Sequence, residues 1–142
     1  MYTKLNEYLQ EFSKEDYAVD YWYDVGSDFA TGLISKFSES DWKDLFAELP
    51  NKPVMWQQRL AYCLEDNTDT NQFAALIKMT DTTDKELFEI CVDSLRGFIN
   101  DDNKQILLKN SKLNERITML KDSSGDAVKM MFSDYLRKID IT

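Results

Sequence analysis

The sequence contains no histidine, only four glycines and two prolines among its 142 residues, and no long hydrophobic run. Without an imidazole, a Ser-His-Asp triad, a Cys-His pair and a Glu-x-x-His metal motif are all excluded. The scattered glycines form neither a P-loop nor a dinucleotide fingerprint. No apolar stretch approaches the roughly 20 residues of a membrane-spanning helix, and no secretory signal segment is recognisable. We therefore predict a cytoplasmic protein that is not an enzyme, does not insert in a membrane and uses no metal or cofactor.

The composition is that of a folded domain. The chain is 43% hydrophobic and 13% aromatic, which is too apolar for a disordered protein, and it is long enough to bury a core without disulfides. The two cysteines, Cys63 and Cys91, lie in the apolar stripes of predicted helices. A thiol in such a stripe packs as a small hydrophobic side chain, so we expect both cysteines to be buried and unreactive.

Acidic residues are unevenly distributed along the chain. The formal net charge is −9; residues 1–71 hold 6 basic and 14 acidic side chains, and residues 72–142 hold 11 and 12. An acidic surface repels the phosphate backbone, so we expect no binding to DNA or RNA. The charge of residues 1–71 either favours a basic protein partner or only keeps the protein soluble.

The strongest helical signal lies at residues 83–99. Apolar side chains recur there at helical spacing, at Leu87, Phe88, Cys91, Val92, Leu95, Phe98 and Ile99. Thr83 and Glu86 have the spacing of a capping box, which predicts where this helix begins. The sequence shows none of the alternating β-branched runs that indicate strands. We predict an all-α fold of about seven or eight helices, with residues 83–99 as a buried central helix.

A weak internal repeat occurs at an offset of 31 residues. Trp56, Leu60, Ala61 and Leu64 align with Leu87, Cys91, Val92 and Leu95, and residues 75–78 align with residues 106–109. The match reflects either stacked antiparallel hairpins, as in an α-solenoid, or only generic amphipathic helices. We predict a single domain over residues 1–142, with acidic helices in 1–50, two hairpin repeats in 53–110 and a C-terminal hairpin in 111–142.

The most unusual segment covers residues 16–37, where no lysine or arginine occurs between Lys14 and Lys36. Four aspartates recur there every four residues and form an outward row on a helix: Asp16, Asp20, Asp24 and Asp28. Three tyrosines flank this row: Tyr17, Tyr21 and Tyr23. The apolar stripe expected to pack inward is Ala18, Trp22, Val25, Phe29 and Leu33. Gly26 and Gly32 either split the helix or let another helix approach closely.

The aspartate row has two interpretations. It is a solvated helix face, since repulsion at this spacing costs only about a few tenths of a kcal/mol per pair. Alternatively it docks a basic protein, because tyrosines supply contact area and complementary charge speeds encounter. Phosphate mimicry in the groove of a nuclease would be a special case of docking. Acidic residues in the turns between helices are weaker candidates for contact with a partner, and we call them the second-choice contacts: Glu65, Asp66, Asp69 and Asp81.

A pattern bounded by prolines begins at residue 49. It reads Leu49-Pro50-x-x-Pro53-x-x-Trp56-x-x-Arg59-Leu60-Ala61-x-x-Leu64-x-Asp66, and a paired helix and residues 87–98 follow it. Over residues 40–110 this helix spacing resembles that of small HEAT-like immunity proteins of bacterial polymorphic toxin systems, including the contact-dependent growth inhibition type. The resemblance implies a HEAT-like solenoid in the cytoplasm that binds one cognate toxin domain, often a nuclease, and blocks it by occlusion. It assigns no site residues.

The resulting prediction is an immunity or inhibitor protein whose acidic surface binds a basic toxin domain. The alternative is a helical adaptor or scaffold that binds a protein or peptide in a concave face without inhibiting it. A carboxylate-dependent enzyme would instead require acidic side chains that converge in one pocket. The oligomeric state is left open.

Overall fold

A computed structural model describes residues 1–14 and 21–141, and in these ranges the chain forms nine α-helices and no strand. The helices are α1 (Tyr2–Phe12), α2 (Ser27–Ile34), α3 (Glu39–Glu48), α4 (Val54–Cys63), α5 (Thr70–Met79), α6 (Lys85–Arg96), α7 (Asp101–Leu108), α8 (Ser111–Lys121) and α9 (Asp126–Lys138). The prediction of an all-α fold is confirmed. The predicted count of seven or eight was too low; the shortest of the nine helices, α2 and α7, have 8 residues each.

The chain divides into two compact units, Met1–Glu65 and Asp66–Thr142. The first unit contains α1 to α4 and the second contains α5 to α9. The boundary falls between α4 and α5, which are the two helices of the predicted first hairpin. That residues 1–142 act as a single domain stays a prediction. Within the two described ranges, none of the helices combines the length and apolar character that crossing a membrane requires.

In the first unit, α1 packs against α2, α3 and α4. The inward face of α4 is buried as predicted, at Trp56, Leu60, Cys63 and Leu64. Polar contacts also join α4 to α1. The Trp56 indole donates a hydrogen bond to Asn6 Oδ1 over 3.0 Å, and Arg59 Nε donates to the Phe12 carbonyl over 3.2 Å. These contacts satisfy buried donors and a carbonyl at the α1 C-terminus, so they fix α4 along α1.

A π-helical turn, Trp22–Gly26, leads directly into α2 and changes which residues face inward. The buried positions are Trp22, Gly26, Ser27, Ala30, Leu33 and Ile34. The predicted inward stripe is therefore wrong at Val25 and Phe29, which are 52% and 47% exposed. A π-turn closes i→i+5 hydrogen bonds, so it shifts the helical face by about one residue relative to an α-helix. Ala18, another member of the predicted stripe, lies outside the described residues.

The absence of a side chain at Gly26 makes this packing possible. A Cβ atom there would lie 2.9 Å from Trp22 Cε3 and 3.0 Å from Phe12 Cζ. Both rings are buried, so neither can move away without disturbing its packed neighbours. The Tyr8 hydroxyl also donates a hydrogen bond to the Gly26 carbonyl, over 3.1 Å. The predicted close approach of another helix is thus found at Gly26, where α1 meets the π-turn.

In the second unit, α6 packs against both α5 and α9. Its apolar stripe is fully buried, which confirms the predicted central helix: Leu87, Phe88, Cys91, Val92 and Leu95. The start of this helix differs from the prediction. Its N-cap is Asp84, whose carboxylate accepts from the Leu87 backbone N–H over 2.8 Å, and not Thr83. A carboxylate accepts this bond as well as a hydroxyl does, and Asp84 lies one residue closer to the helix.

We expect opposite effects from alanine at the two glycines of segment 22–34. Gly26→Ala should lower the free energy of unfolding of the first unit by about 1–2 kcal/mol, because its Cβ overpacks against Trp22 and Phe12. Gly32 has no heavy atom within 4 Å of an added Cβ, so Gly32→Ala should raise that free energy by about 0.5–1 kcal/mol through helix propensity.

Urea unfolding monitored by tryptophan fluorescence measures both effects, since all three tryptophans lie in the first unit. Stabilisation by Gly26→Ala would show that the rings relax and that Gly26 is not a packing requirement.

Candidate functional site

The exposed side of segment 21–34 is the strongest candidate site in the first unit. Its exposed residues include two tyrosines, two aspartates and two apolar side chains: Tyr21, Tyr23, Asp24, Val25, Asp28 and Phe29. Together with the exposed Tyr62 of α4 we call them the acidic aromatic face. Isolated exposed apolar residues are common, but a cluster of this size on one element is typical of an interaction surface.

Contacts with two neighbouring helices hold the exposed rings in place. On the α1 side, Tyr21 stacks on Phe12 with ring centroids 5.7 Å apart, and Phe29 lies 4.7 Å from Tyr8. On the α4 side, Tyr23 packs against Tyr62 with centroids 4.6 Å apart. The rings are therefore exposed on one side and supported on the other. Such side chains lose little conformational entropy when a partner covers them.

The two aspartates of the face make no ion pair within the described residues. Burial raises the pKa of Tyr62 most, and Tyr23, Cys63, Asp24 and Glu65 raise it further. Asp24 directly follows Tyr23 in the sequence, and Glu65 lies three residues after Tyr62. A surface of this kind attracts cations.

The structure bears on part of the predicted partner surface. Asp24, Asp28, Tyr21 and Tyr23 are exposed on one helical segment, as the row requires. The other three members of the predicted set lie outside the described residues: Asp16, Tyr17 and Asp20. Sequence reasoning missed Val25 and Phe29 because of the π-turn. It also missed Tyr62, for which the available signal was an aromatic residue lying off the inward stripe of α4.

The second-choice contacts fall in both units: Glu65 belongs to the first, and the other three belong to the second, where each makes bonds within that unit. Asp69 is the N-cap of α5 and accepts from the backbone N–H groups of Asn71 and Gln72. Asp66 accepts from the backbone and hydroxyl of Thr68. Asp81 pairs with Lys112 over 2.7 Å. Caps and turns account for Asp66 and Asp69, so they are weaker candidates than Asp24 and Asp28.

Neither cysteine forms a reactive site. Cys63 and Cys91 are free thiols with 2% and 0% of their surface exposed. Burial raises the pKa of both thiols well above the usual range, which suppresses the nucleophilic thiolate. The expectation that both cysteines are buried is confirmed.

The second unit has an open groove of about 1080 Å³ along α9. Apolar side chains line it, among them Ala127, Met131 and the highly exposed Met130. Three of its charged side chains bond to one another, since Asp134 accepts from Arg96 over 3.1 Å and also from Arg137. The hydrogen bond from Arg137 holds the pKa of Asp134 below its usual range, and Arg96 and Lys138 lower it further. The groove thus combines apolar side chains with a bonded cluster around Asp134.

A smaller pocket of about 160 Å³ lies between the α5–α6 turn and α8. Arg116 fills one side of it and donates hydrogen bonds to the carbonyls of Thr80 and Thr82. The same guanidinium lies 4.0 Å from the Phe88 ring centroid. Because its donors bond to the backbone at the end of α5, Arg116 acts as a structural cap.

In the part of the chain that the structure describes, no group of three or more acidic or cysteine side chains is arranged to hold a metal ion. Comparison with known proteins adds no relative: no family model, no curated protein and no solved structure matches the chain.

The ion pairs of Asp134 should make the stability of the protein depend on pH. The pKa of the Asp134 carboxyl is depressed in the folded state relative to about 3.9 in an unfolded chain, so these ion pairs stabilise the protein above about pH 4 and are lost as the pH falls. Asp134→Asn should lower the melting temperature at pH 6 and reduce its further fall between pH 6 and pH 3. Circular dichroism at 222 nm measures this. Asp122→Asn, at an exposed position, is the control. An equal fall of the melting temperature from pH 6 to pH 3 in the unaltered protein and in both variants would contradict this role of Asp134.

Proposed function

We propose that this protein is an inhibitor of the immunity-protein type, which binds one basic protein domain through the acidic aromatic face and neutralises it by occlusion. The observation that carries this proposal is the coincidence, on one helical segment, of exposed aromatic rings with aspartates that make no internal ion pair in the described residues. A cognate bacterial toxin domain, such as a nuclease, is the partner that the sequence resemblance suggests.

The rings supply the apolar contact that such binding needs. Tyr21, Tyr23, Phe29 and Tyr62 are held by Phe12, Tyr8 and one another, so they form a preorganised patch. Tyrosine is enriched at interface hot spots because it combines a large apolar surface with a polar tip. Contact through this patch would cover a rigid surface, which favours a long-lived complex over a transient one.

The negative charges of the face steer a basic partner toward it. Residues 1–71 carry most of the net negative charge, and Asp24 and Asp28 lie exposed among the rings. Complementary charge raises association rates and excludes acidic competitors. A nuclease domain must itself be basic to hold nucleic acid, so an acidic inhibitor both finds it quickly and competes with its substrate.

The proposal includes a HEAT-like stack of antiparallel hairpins and a cytoplasmic location. The 31-residue sequence repeat and the resemblance over residues 40–110 support the stack, and the toxin-immunity role itself requires the location. The capping residues Asp69, Asp84 and Asn100 open three successive helices with side-chain hydrogen bonds, which is compatible with a regular helical array.

Capture and protection together test the function. The tagged chain should retain one basic domain from its source cells, and co-expression should restore the growth of cells in which that domain alone is toxic. Asp24→Asn combined with Asp28→Asn should weaken protection. If the captured domain is bound tightly but remains fully active, the proposed inhibitory function is wrong and the alternative function, a non-inhibitory adaptor, is favoured.

The kinetics of association test the role of the aspartates. At low ionic strength the Asp24→Asn/Asp28→Asn variant should associate with the captured domain about three- to ten-fold more slowly than the unaltered chain, and the two rates should converge at high salt. The matched control is Glu115→Gln/Asp122→Asn, which removes the same charge from exposed positions of the second unit. An equal loss in both variants would mean that net charge, and not the acidic aromatic face, sets the rate.

The second candidate function is a helical adaptor that binds a protein or peptide without inhibiting it. The groove along α9 is the observation that favours it, since flexible methionines such as Met130 and Met131 suit a surface that accepts varied apolar side chains. Substituting Met130→Glu would abolish binding in that case and would leave binding through the acidic aromatic face intact.

A further inference from the structure

The Tyr23–Tyr62 pair is the part of the acidic aromatic face with the most defined geometry. The two rings are inclined by 59°, with centroids 4.6 Å apart. Both side chains are exposed, at 36% and 43% of their surface. Tyr23 lies in the π-turn that leads into α2, and α2 packs against α4, which carries Tyr62. The mutual position of the two rings is therefore set by the fold and not by the ligand.

Elsewhere the chain places its own cations over aromatic rings. Lys52 lies 5.2 Å from the Trp56 ring, Arg116 lies 4.0 Å from the Phe88 ring, and Lys4 lies 5.8 Å from the Phe29 ring. No lysine or arginine of the described residues lies over Tyr23 or Tyr62. This pair therefore has exposed ring surface that the rest of the described chain does not cover.

Two carboxylates accompany the pair. Asp24 is the sequence neighbour of Tyr23, and Glu65 follows Tyr62 by three residues; both are exposed and make no ion pair within the described residues. Burial raises the pKa of Tyr62 most, and the charges of Asp24 and Glu65 raise it further. Aromatic faces and carboxylates together complement one class of ligand, an extended planar cation.

We propose that the Tyr23–Tyr62 pair, with Asp24 and Glu65, binds an arginine side chain that the basic partner presents. The guanidinium stacks on the exposed tyrosine surface, and the two carboxylates accept its N–H groups. Arginine fits better than lysine because its planar group is weakly hydrated, stacks on rings and donates in a fork that matches carboxylates. This inference rests on the proposed function only in that a protein partner supplies the arginine.

Short peptides test the inference without the partner. The probe is a blocked Gly-Ser-Arg-Ser-Gly peptide, compared with the same peptide carrying citrulline, which has arginine's shape without its charge, and with one carrying lysine. Ring resonances of Tyr23 and Tyr62 in aromatic NMR spectra should shift with the arginine peptide in the millimolar range, less with lysine and not with citrulline. Equal shifts with citrulline would overturn the inference.

Matched variants locate the site. Tyr62→Leu keeps an apolar side chain without a π-face and should weaken arginine-peptide binding about two- to five-fold. Val54→Ala changes a similarly exposed side chain of α4 that lies outside the acidic aromatic face, and it should leave binding unchanged. If Tyr62→Leu does not fold, as judged by tryptophan fluorescence, Asp24→Asn/Glu65→Gln provides the second test with the same expected loss. Unchanged affinity in the variant that folds would overturn the inference.

The outcomes separate this inference from the proposed function. If the captured basic domain is neutralised but the arginine peptide does not shift the rings, only the arginine site is wrong. If the arginine peptide binds but no basic domain is captured or neutralised, the site stands and the inhibitory function is wrong.

Discussion

The contact between the backbone at Gly26 and the rings of Trp22 and Phe12 determines how segment 22–34 lies in the first unit. Cβ contacts of about 3 Å with buried rings leave no room for a side chain, so the segment approaches α1 at a point where only glycine fits. Trp22, Gly26 and Ala30 face inward together, and the first two lie in the π-turn over Trp22–Gly26. The remaining features of the candidate site follow from this choice of face.

The composition of the acidic aromatic face follows from this packing. With the helix placed by Gly26, Val25 and Phe29 face outward beside Asp24 and Asp28, and Tyr21 and Tyr23 meet supporting rings on α1 and α4. Had the predicted stripe packed inward, Val25 and Phe29 would be buried and the outer surface would hold the aspartates flanked only by tyrosines. The observed packing adds two apolar side chains to that surface, which gives it the mixed composition that favours protein recognition.

Five other aspartates have a structural role. Asp41 accepts in the capping box with Ser38, Asp69 and Asp84 cap helices, and Asp81 and Asp134 pair with basic residues. Each of these carboxylates is stabilised by groups of its own unit, whereas Asp24 and Asp28 make no such bonds within the described residues. The charges of Asp24 and Asp28 are therefore not neutralised at the acidic aromatic face, which is the basis for the proposed basic ligand.

Periodicity in the sequence was sufficient to determine the all-α class, the buried faces of α4 and α6 and the burial of both cysteines, because these depend on local spacing of apolar residues. It also placed Asp24 and Asp28 outside, since a charged row without basic neighbours cannot be buried. It failed at Val25, Phe29 and Tyr62, and at the Thr83 cap. Those outcomes depend on where Gly26 meets Phe12, on which ring supports which tyrosine, and on which of two adjacent cap residues reaches a backbone N–H. A local hydrogen bond decides the cap, whereas contacts between residues distant in sequence decide the other outcomes, so only the tertiary structure could determine the composition of the candidate site.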